Sequence, residues 1–202
     1  MRPSFVVRGS FIALLLMLAG SLVAPRARAQ DAAAQNAWQD QVRSAVESDQ
    51  RLASFAPTDA AAFCPSFTSL DESGRRAFWT NLLTAMAQQE SGGDPTKVKW
   101  SLFDSSVNRP AFRRGLFQIS IEAAHSHRYA CDVSSGELST ASANIACALT
   151  VLETEVSASN SIGGAGRYWP SLRHQDSRAQ IASAVSAAAP CTPAAIGASA
   201  PR

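Results

Sequence analysis

Residues 69–90, SLDESGRRAFWTNLLTAMAQQE, carry the clearest hydrophobic pattern in the chain. Phe78, Leu82 and Met86 recur every four residues, which predicts a helix with one apolar face, capped at Ser69 or Asp71. The same interval continues to Glu90, so its carboxyl group is expected on the apolar face, at the C-terminal end of the helix. Burial and the negative end of a helix both disfavour a charged carboxylate, and a glutamic acid that keeps its proton can act as a general acid. The alternative is a glutamate that turns to solvent as the helix frays into the glycines that follow.

The rest of the chain is also mainly helical in pattern. Residues 141–156 and 171–188 place apolar side chains at helical spacing, and Pro170 suits the start of the second of these helices. Residues 97–114 have the only extended or loop character, and alternating strand patterns are nearly absent. The sequence therefore predicts a mostly α fold.

The two ends differ in composition from the centre. Residues 1–29 combine early arginines, the apolar run 11–19 and an Ala-Arg-Ala ending, which is typical of a secretory signal peptide cut before Gln30. A membrane anchor is the alternative, but the run is shorter than the ~20 apolar residues that span a bilayer. We expect residues 30–62 to form a poorly ordered arm or a helix outside the core. Residues 63–191 are expected to form the domain, and 192–202 a disordered tail.

Charge changes when the leader is removed. The whole sequence has 18 basic and 16 acidic residues, a formal net charge of +2. Four arginines and no acidic residue lie in 1–29, so the mature chain carries 14 basic and 16 acidic residues, a net charge of −2. This near-neutral charge gives no reason to expect a nucleic-acid partner or an anionic membrane. Once the leader is cut, we expect no membrane anchor.

Four cysteines remain after the leader: Cys64, Cys131, Cys147 and Cys191. An even number in an exported chain indicates two disulfides, and sequence alone permits three pairings. His125 and His127 lie two residues apart, and no CxxC or HxxxH spacing occurs, so we expect no metal site and no cofactor.

Three motifs in order carry a family resemblance. ESGGDP occupies 90–95, GLFQIS occupies 115–120, and NIACALTVL begins at Asn144. This set resembles the lytic transglycosylase domain, which has a goose-lysozyme-like fold, over about residues 64–191. The resemblance implies a lysozyme-like single domain that acts on peptidoglycan glycan strands.

The resemblance also implies roles for individual residues. Glu90 matches the catalytic acid, and Ser91 and Gln118 are expected in the saccharide groove. Gly115 would allow a close backbone approach there, and Asn144 would begin the helix behind the site as an N-cap.

The sequence departs from the family pattern in two places. The family usually carries a tyrosine in a YNAG-like segment, hydrogen-bonded to the acid. Here the region reads GGAGRYWPSL, so Tyr168 is the candidate, with Trp169 beside it as a sugar-stacking platform. An aromatic that packs the last helix is the alternative role for Tyr168. Arg113 and Arg114 precede GLFQIS where a small residue is usual, which would reshape or charge the groove.

Three functions remain open at this stage. A lytic transglycosylase needs one carboxyl group, which protonates the leaving oxygen and then accepts the proton of the sugar's own C6 hydroxyl, giving a 1,6-anhydro product. A goose-type lysozyme needs a second carboxylate, for which Asp104 is the candidate, although an aspartate in such a loop is more often a turn former. The third possibility is a non-catalytic module that binds the cell wall. We favour the transglycosylase, as a periplasmic or secreted monomer.

We expect the disulfides Cys131–Cys147 and Cys64–Cys191. About 15 residues separate Cys131 from Cys147, a length that suits loop closure. The second pair would then join the start of the domain to its end.

Overall fold

In a computed structural model, the chain is described over residues 37–104 and 107–192. The predicted leader and residues 193–202 of the predicted tail lie outside these ranges. Helical residues 37–48 form α1, and the other helices are α2 Glu72–Ser91, α3 Ile121–Ala124, α4 Ala141–Ser159, α5 Pro170–Arg173 and α6 Gln175–Ser186. Three strands, β1 Val98–Asp104, β2 Arg109–Arg114 and β3 Ile119–Ser120, form a sheet in the order β1-β2-β3. The predicted mostly α class is confirmed, with this small sheet added.

Helix α2 follows the predicted pattern from start to end. Asp71 is its N-cap, and its Oδ1 accepts a hydrogen bond from the backbone N–H of Gly74 at 2.8 Å. Phe78, Leu82 and Met86 are fully buried, so the apolar stripe faces the core. The helix ends at Gly92, whose φ of 74° is the left-handed conformation that glycine adopts without strain. The predicted register of Glu90 on this helix is therefore confirmed.

Helix α1 corrects the expectation of an arm or helix outside the core. Trp38, Val42 and Val46 are at most 2% exposed and belong to the same core cluster as α2. Arg76 of α2 donates hydrogen bonds to three backbone carbonyls at or just beyond the C-terminal end of α1. A guanidinium satisfies carbonyls that a helix end leaves without partners. The three apolar residues were visible in the sequence, but their Ala- and Gln-rich surroundings obscured their burial.

The predicted helix at 171–188 is broken in two. His174 takes an extended conformation, with ψ of 130°, between α5 and α6. The break places Ser171 and His174 beside the C-terminal end of α2, on the wall of one cavity. The helix predicted at 141–156 is confirmed as α4 and extends to Ser159.

Residues 97–114 form a hairpin where the sequence indicated only weak extended character. Strands β1 and β2 pair antiparallel, with Lys99 opposite Arg113 and Trp100 opposite Phe112. Alternation along a strand sends neighbouring side chains to opposite faces. Lys99 and Ser101 accordingly line the cavity beside Glu90, whereas Trp100 and Phe112 are half exposed.

Both expected disulfides are confirmed. Cys64 bonds to Cys191 across 127 positions of sequence, and Cys131 bonds to Cys147 across 16. The longer bridge ties the two ends of the domain together. Among the described residues, no helix combines the length and the apolar character that crossing a membrane requires.

Candidate active site

A cavity of about 230 Å³ opens where α2, the hairpin and the α5–α6 break meet. We call it the Glu90 cavity, and its walls are formed by Gln89, Glu90, Lys99, Ser101, Arg113, Gln118, Pro170, Ser171, His174 and Ser177. Glu90 is the one carboxylate in this set of described residues. The cavity therefore offers a single acidic group among several neutral and basic ones.

Three polar atoms in the cavity wall are buried and unsatisfied. Glu90 Oε1, Gln118 Oε1 and Ser171 Oγ have no hydrogen-bond partner within the described part of the chain. Nearly all buried polar groups in folded proteins are paired, so three orphans on one wall indicate groups that meet a ligand or water. Their chemistry suits hydroxyl and amide groups, since two are oxygen acceptors and the third can donate or accept.

Gln118 is held rigidly with its acceptor oxygen free. Its Nε2 donates to the carbonyl of Gly115 at 2.8 Å and to that of Lys97 at 3.2 Å. Its backbone adopts a positive φ of 50°, an uncommon conformation for a residue other than glycine. Such strain concentrates at functional sites, where the surrounding structure maintains it. The two hydrogen bonds fix which end of the amide faces the cavity.

Gly115 and Asn144 make this loop possible. Gly115 has φ of 75°, and a Cβ added there would lie 2.3 Å from Asn144 Nδ2. Other atoms therefore do approach the Gly115 backbone closely, as expected, but they belong to Asn144 and Leu138 of the protein itself. Asn144 Nδ2 donates to the carbonyls of Arg114 and Leu138, both at 2.9 Å, and its Oδ1 accepts from the Phe117 N–H at 2.8 Å.

Asn144 therefore acts differently from the prediction. Thr140 is the N-cap of α4, so Asn144 lies inside the helix rather than at its cap. It is fully buried and holds the GLFQIS loop from behind. The side chain is not available to a sugar, because both of its polar atoms bond to backbone groups, those of Arg114, Phe117 and Leu138.

Asp104 and Arg113 form a buried ion pair beside the cavity. Asp104 is fully buried, and its Oδ2 accepts from Arg113 Nε at 3.3 Å and from Ser120 Oγ at 2.8 Å. Arg113 reaches the cavity wall, and its guanidinium also lies over the Tyr168 ring. Burial opposes the charged guanidinium, but Tyr168, Asp104 and Glu90 outweigh it and raise the pKa of Arg113. Asp104 thus stabilises a cation, and it does not line the cavity.

Three further predicted contact residues do not reach the cavity. Trp169 is fully buried and donates from Nε1 to the Phe117 carbonyl at 2.9 Å, so the prediction of a sugar-stacking platform is wrong. Tyr168 is also fully buried, and its hydroxyl oxygen accepts from the Ser120 N–H at 3.2 Å. Burial is the main cause of its raised pKa. Ser91 is buried and bonds to the Ala87 carbonyl at 2.9 Å, within the last turn of α2.

The tyrosine and tryptophan were misassigned for a simple reason. The aromatic pair directly precedes Pro170, and both side chains are fully buried in the core. Tyr168 is a core residue, as in the alternative role considered for it, and it contacts Tyr129, Arg113 and Ser120.

The wall residues that the sequence did not single out include Lys99, Ser101, Ser171 and His174. They come from the hairpin and from the α5–α6 break, the two places where secondary structure was predicted least well. The alternation of polar and apolar residues from Lys97 to Leu102 was the available signal for the first two. Nothing in the Ala-rich pattern of 171–188 marked the other two.

Comparisons with known proteins agree with this geometry. The family model for the transglycosylase SLT domain matches residues 68–173, more than half of the chain. No curated protein sequence matches the chain. Among solved structures, wild-type DslA from Bdellovibrio is 30% identical with a TM-score of 0.67, and the match covers 77% of this chain and 91% of DslA.

Two DslA variants, each with one glutamate replaced by glutamine, match as well. One is 30% identical with a TM-score of 0.67, covering 77% of this chain and 91% of its own. The other is 29% identical with a TM-score of 0.65, covering 78% and 90%. The chain, with Glu90 inside the matched segment, belongs to the transglycosylase SLT domain family of glycan-cleaving enzymes, which also confirms the predicted lysozyme-like class.

Proposed function

We propose that this protein is an exported lytic transglycosylase, which cleaves the β-1,4 bond between N-acetylmuramic acid and N-acetylglucosamine in peptidoglycan. The observation that carries the proposal is the single carboxylate of the Glu90 cavity. Hydrolysis of a glycosidic bond normally needs two carboxyl groups, one on each side of the bond. Transglycosylation needs one, because the substrate supplies its own nucleophile.

Glu90 would serve in both halves of the reaction. Its carboxyl group donates a proton to the glycosidic oxygen as that bond breaks, and departure is assisted by the N-acetyl oxygen of the same sugar. The resulting carboxylate then accepts the proton of the C6 hydroxyl, whose oxygen closes onto C1. The product is a 1,6-anhydro sugar, no water is consumed, and Glu90 regains its proton.

The other wall residues would orient the sugar. The free acceptor of Gln118 and the hydroxyl of Ser171 are positioned for sugar hydroxyl or N-acetyl N–H groups. Gln118 does not need to move, since two backbone carbonyls hold its amide. Fixed donors and acceptors of this kind lower the entropy lost on binding.

Two observations weigh against the alternatives. Asp104 is engaged with Arg113 and Ser120 away from the cavity wall, which leaves the lysozyme reaction without a second carboxylate there. The buried, unpaired Oε1 of Glu90 speaks against a purely binding module, because a binding groove gains nothing from it. Both disulfides favour a periplasmic or secreted location, where we expect a monomer.

The test is Glu90→Gln, with Glu72→Gln as the matched control at the exposed start of the same helix. Digestion of purified sacculi is expected to stop in the first variant and continue in the control, with both folded. Mass spectrometry of the wild-type products is expected to show muropeptides about 18 Da lighter than hydrolytic ones, since one water is missing. Wild-type turnover by Glu90→Gln would exclude Glu90 as the acid, and reducing-end products would exclude the transglycosylase.

A further inference from the structure

Exposed large apolar side chains are concentrated in one hairpin. Within the described residues, those exposed by more than a third all belong to β1 and β2: Val98 53%, Trp100 49%, Leu102 80%, Phe103 59% and Phe112 48%. Single exposed apolar residues are ordinary, but a contiguous group marks an interaction surface. We call this group the hairpin patch.

The hairpin patch is separate from the Glu90 cavity. Trp100 and Phe112 are cross-strand partners whose ring centroids lie 4.6 Å apart, on the face opposite Lys99 and Ser101. None of the five patch residues lines the cavity. A ligand on the patch would therefore not be the scissile sugar.

The charge of this region contrasts with the rest of the molecule. Residues 97–114 hold five basic residues and one acidic residue, so their net charge is +4. The remainder of the mature chain has nine basic and 15 acidic residues, a net charge of −6. Arg113 and Asp104 neutralise each other beneath the hairpin. Lys99 lines the Glu90 cavity and Lys97 Nζ donates to the Ser91 carbonyl, which leaves Arg109 and Arg114 as the cations of the rest of the hairpin. The near-zero net charge of the sequence conceals a positive pole.

We propose that the hairpin patch binds the surface of an anionic lipid bilayer. Trp100 and Phe112 would lie at the headgroup level, and Leu102 and Phe103 would enter the acyl boundary. The guanidinium carbon of Arg114 lies 5.7 Å from the centroid of the Phe112 ring, so a positive charge is held directly beside the apolar patch, where a lipid phosphate can pair with it. Cations beside exposed aromatic and aliphatic side chains are the combination that interfacial membrane binding requires.

The composition of the patch favours lipid over a second glycan strand. Sugar rings stack on flat aromatic faces, whereas the Trp100 and Phe112 rings are inclined at 58° and pack on each other. Leu102, the most exposed member, is aliphatic and offers no stacking face. Such a contact would hold the catalytic domain at a membrane facing the cell wall.

The proposal is tested by co-sedimentation of the exported protein with vesicles of phosphatidylglycerol and phosphatidylcholine, against phosphatidylcholine alone. Binding is expected only to the anionic vesicles, and it should weaken in high salt. Leu102→Ser/Phe103→Ser and Arg109→Gln/Arg114→Gln are each expected to lower partitioning at least about tenfold, since one cation near an anionic surface contributes roughly fivefold. Arg178→Gln, an exposed arginine on α6, is the control and should bind as wild type does.

All variants have the same N-terminal residues, so a difference in vesicle binding between a hairpin variant and the wild type is caused by the hairpin substitutions. Equal binding to neutral vesicles, no vesicle binding, or binding that survives both double substitutions would overturn the proposal. Loss of sacculus binding in the variants without vesicle binding would assign the patch to glycan instead. A wild-type dimer in sedimentation velocity that Leu102→Ser/Phe103→Ser dissociates would assign it to a second copy. Measuring in a Glu90→Gln background keeps the result independent of the proposed reaction.

Discussion

The pair formed by Asp104 and Arg113 gives the sharpest test of how the site is built. Asp104 is fully buried, and the Arg113 side chain is only 6% exposed. Asp104→Asn keeps the shape and removes the charge, which leaves the guanidinium without its main counter-ion. Removing one partner of a buried ion pair typically costs 3–5 kcal/mol, and the 3.3 Å separation favours the lower end, about 3 kcal/mol.

The measurement is urea unfolding followed by circular dichroism, at pH 7 with both disulfides intact. A loss of about 3 kcal/mol corresponds to a fall in Tm of roughly 10 °C for a domain of this size. The exposed Asp132→Asn is the control and should change stability by less than about 0.5 kcal/mol. Turnover on sacculi, measured well below the variant's Tm, is expected to remain, with the anhydro product unchanged.

A double-mutant cycle separates pairing from general disruption. Arg113→Met should also destabilise, because Arg113 bonds to the Tyr168 carbonyl as well. The combined variant, Asp104→Asn/Arg113→Met, is expected to lose at least about 1 kcal/mol less than the sum of the single losses. Strictly additive losses would refute the ion-pair argument. Wild-type stability in Asp104→Asn, together with loss of turnover, would identify Asp104 as a reacting group and restore the lysozyme mechanism.

Three further predictions concern the scaffold. Gly115→Ala should destabilise the protein by more than about 3 kcal/mol in urea unfolding, because the new Cβ would meet Asn144 at 2.3 Å at a position of positive φ. Gly136→Ala is the control and should be near neutral, since the space around Gly136 is open. Equal effects of the two substitutions would contradict this argument. Burial, helped by Asp49, raises the pKa of Glu153 from 4.5 to about 7, so wild-type stability falls as pH rises between these two values. Glu153→Gln should be more stable than wild type by on the order of 1 kcal/mol at pH 8 and equally stable at pH 4. A stability difference that stays constant with pH would refute this prediction. Replacing Cys64 and Cys191 by alanine should lower the free energy of unfolding by on the order of 5 kcal/mol, against about 3 kcal/mol for Cys131 and Cys147, because the first bridge closes the longer loop. The reverse order of Tm values would disprove this argument.

Local patterns predicted the helices well where side-chain periodicity and caps agreed. Helix α2 has a regular apolar stripe, an aspartate at its N-cap and glycine after its last turn, so each signal indicated the same boundaries. Helix α4 was predicted from its apolar periodicity alone, since the cap expected at Asn144 lies inside the helix. The break at His174 was not predicted, since residues 171–175 contain no glycine or proline that would mark an interruption.

The hairpin was underestimated because its apolar residues face outward. Sequence patterns identify strands by apolar side chains on a buried face, but here the cavity face is polar and the apolar face is exposed. The same inversion concealed Lys99 and Ser101 as wall residues. The net charge concealed the positive hairpin for a similar reason, because a net charge does not show where along the chain the charged residues lie.

The sequence by itself determined that Glu90 ends a buried helical stripe, that Gly115 occupies a tight loop and that two disulfides join the four cysteines. Each of these follows from periodicity, from residue type or from a count, and each is local or independent of orientation. Tertiary structure alone decided which polar groups share a cavity. Gln118 and Ser171 join Glu90 there, while Asp104, Asn144, Tyr168 and Trp169 turn away into the core. Sequence cannot make that division, because the same polar or aromatic side chain can either bond to buried backbone groups or face a ligand, and only the packing of distant segments fixes its direction.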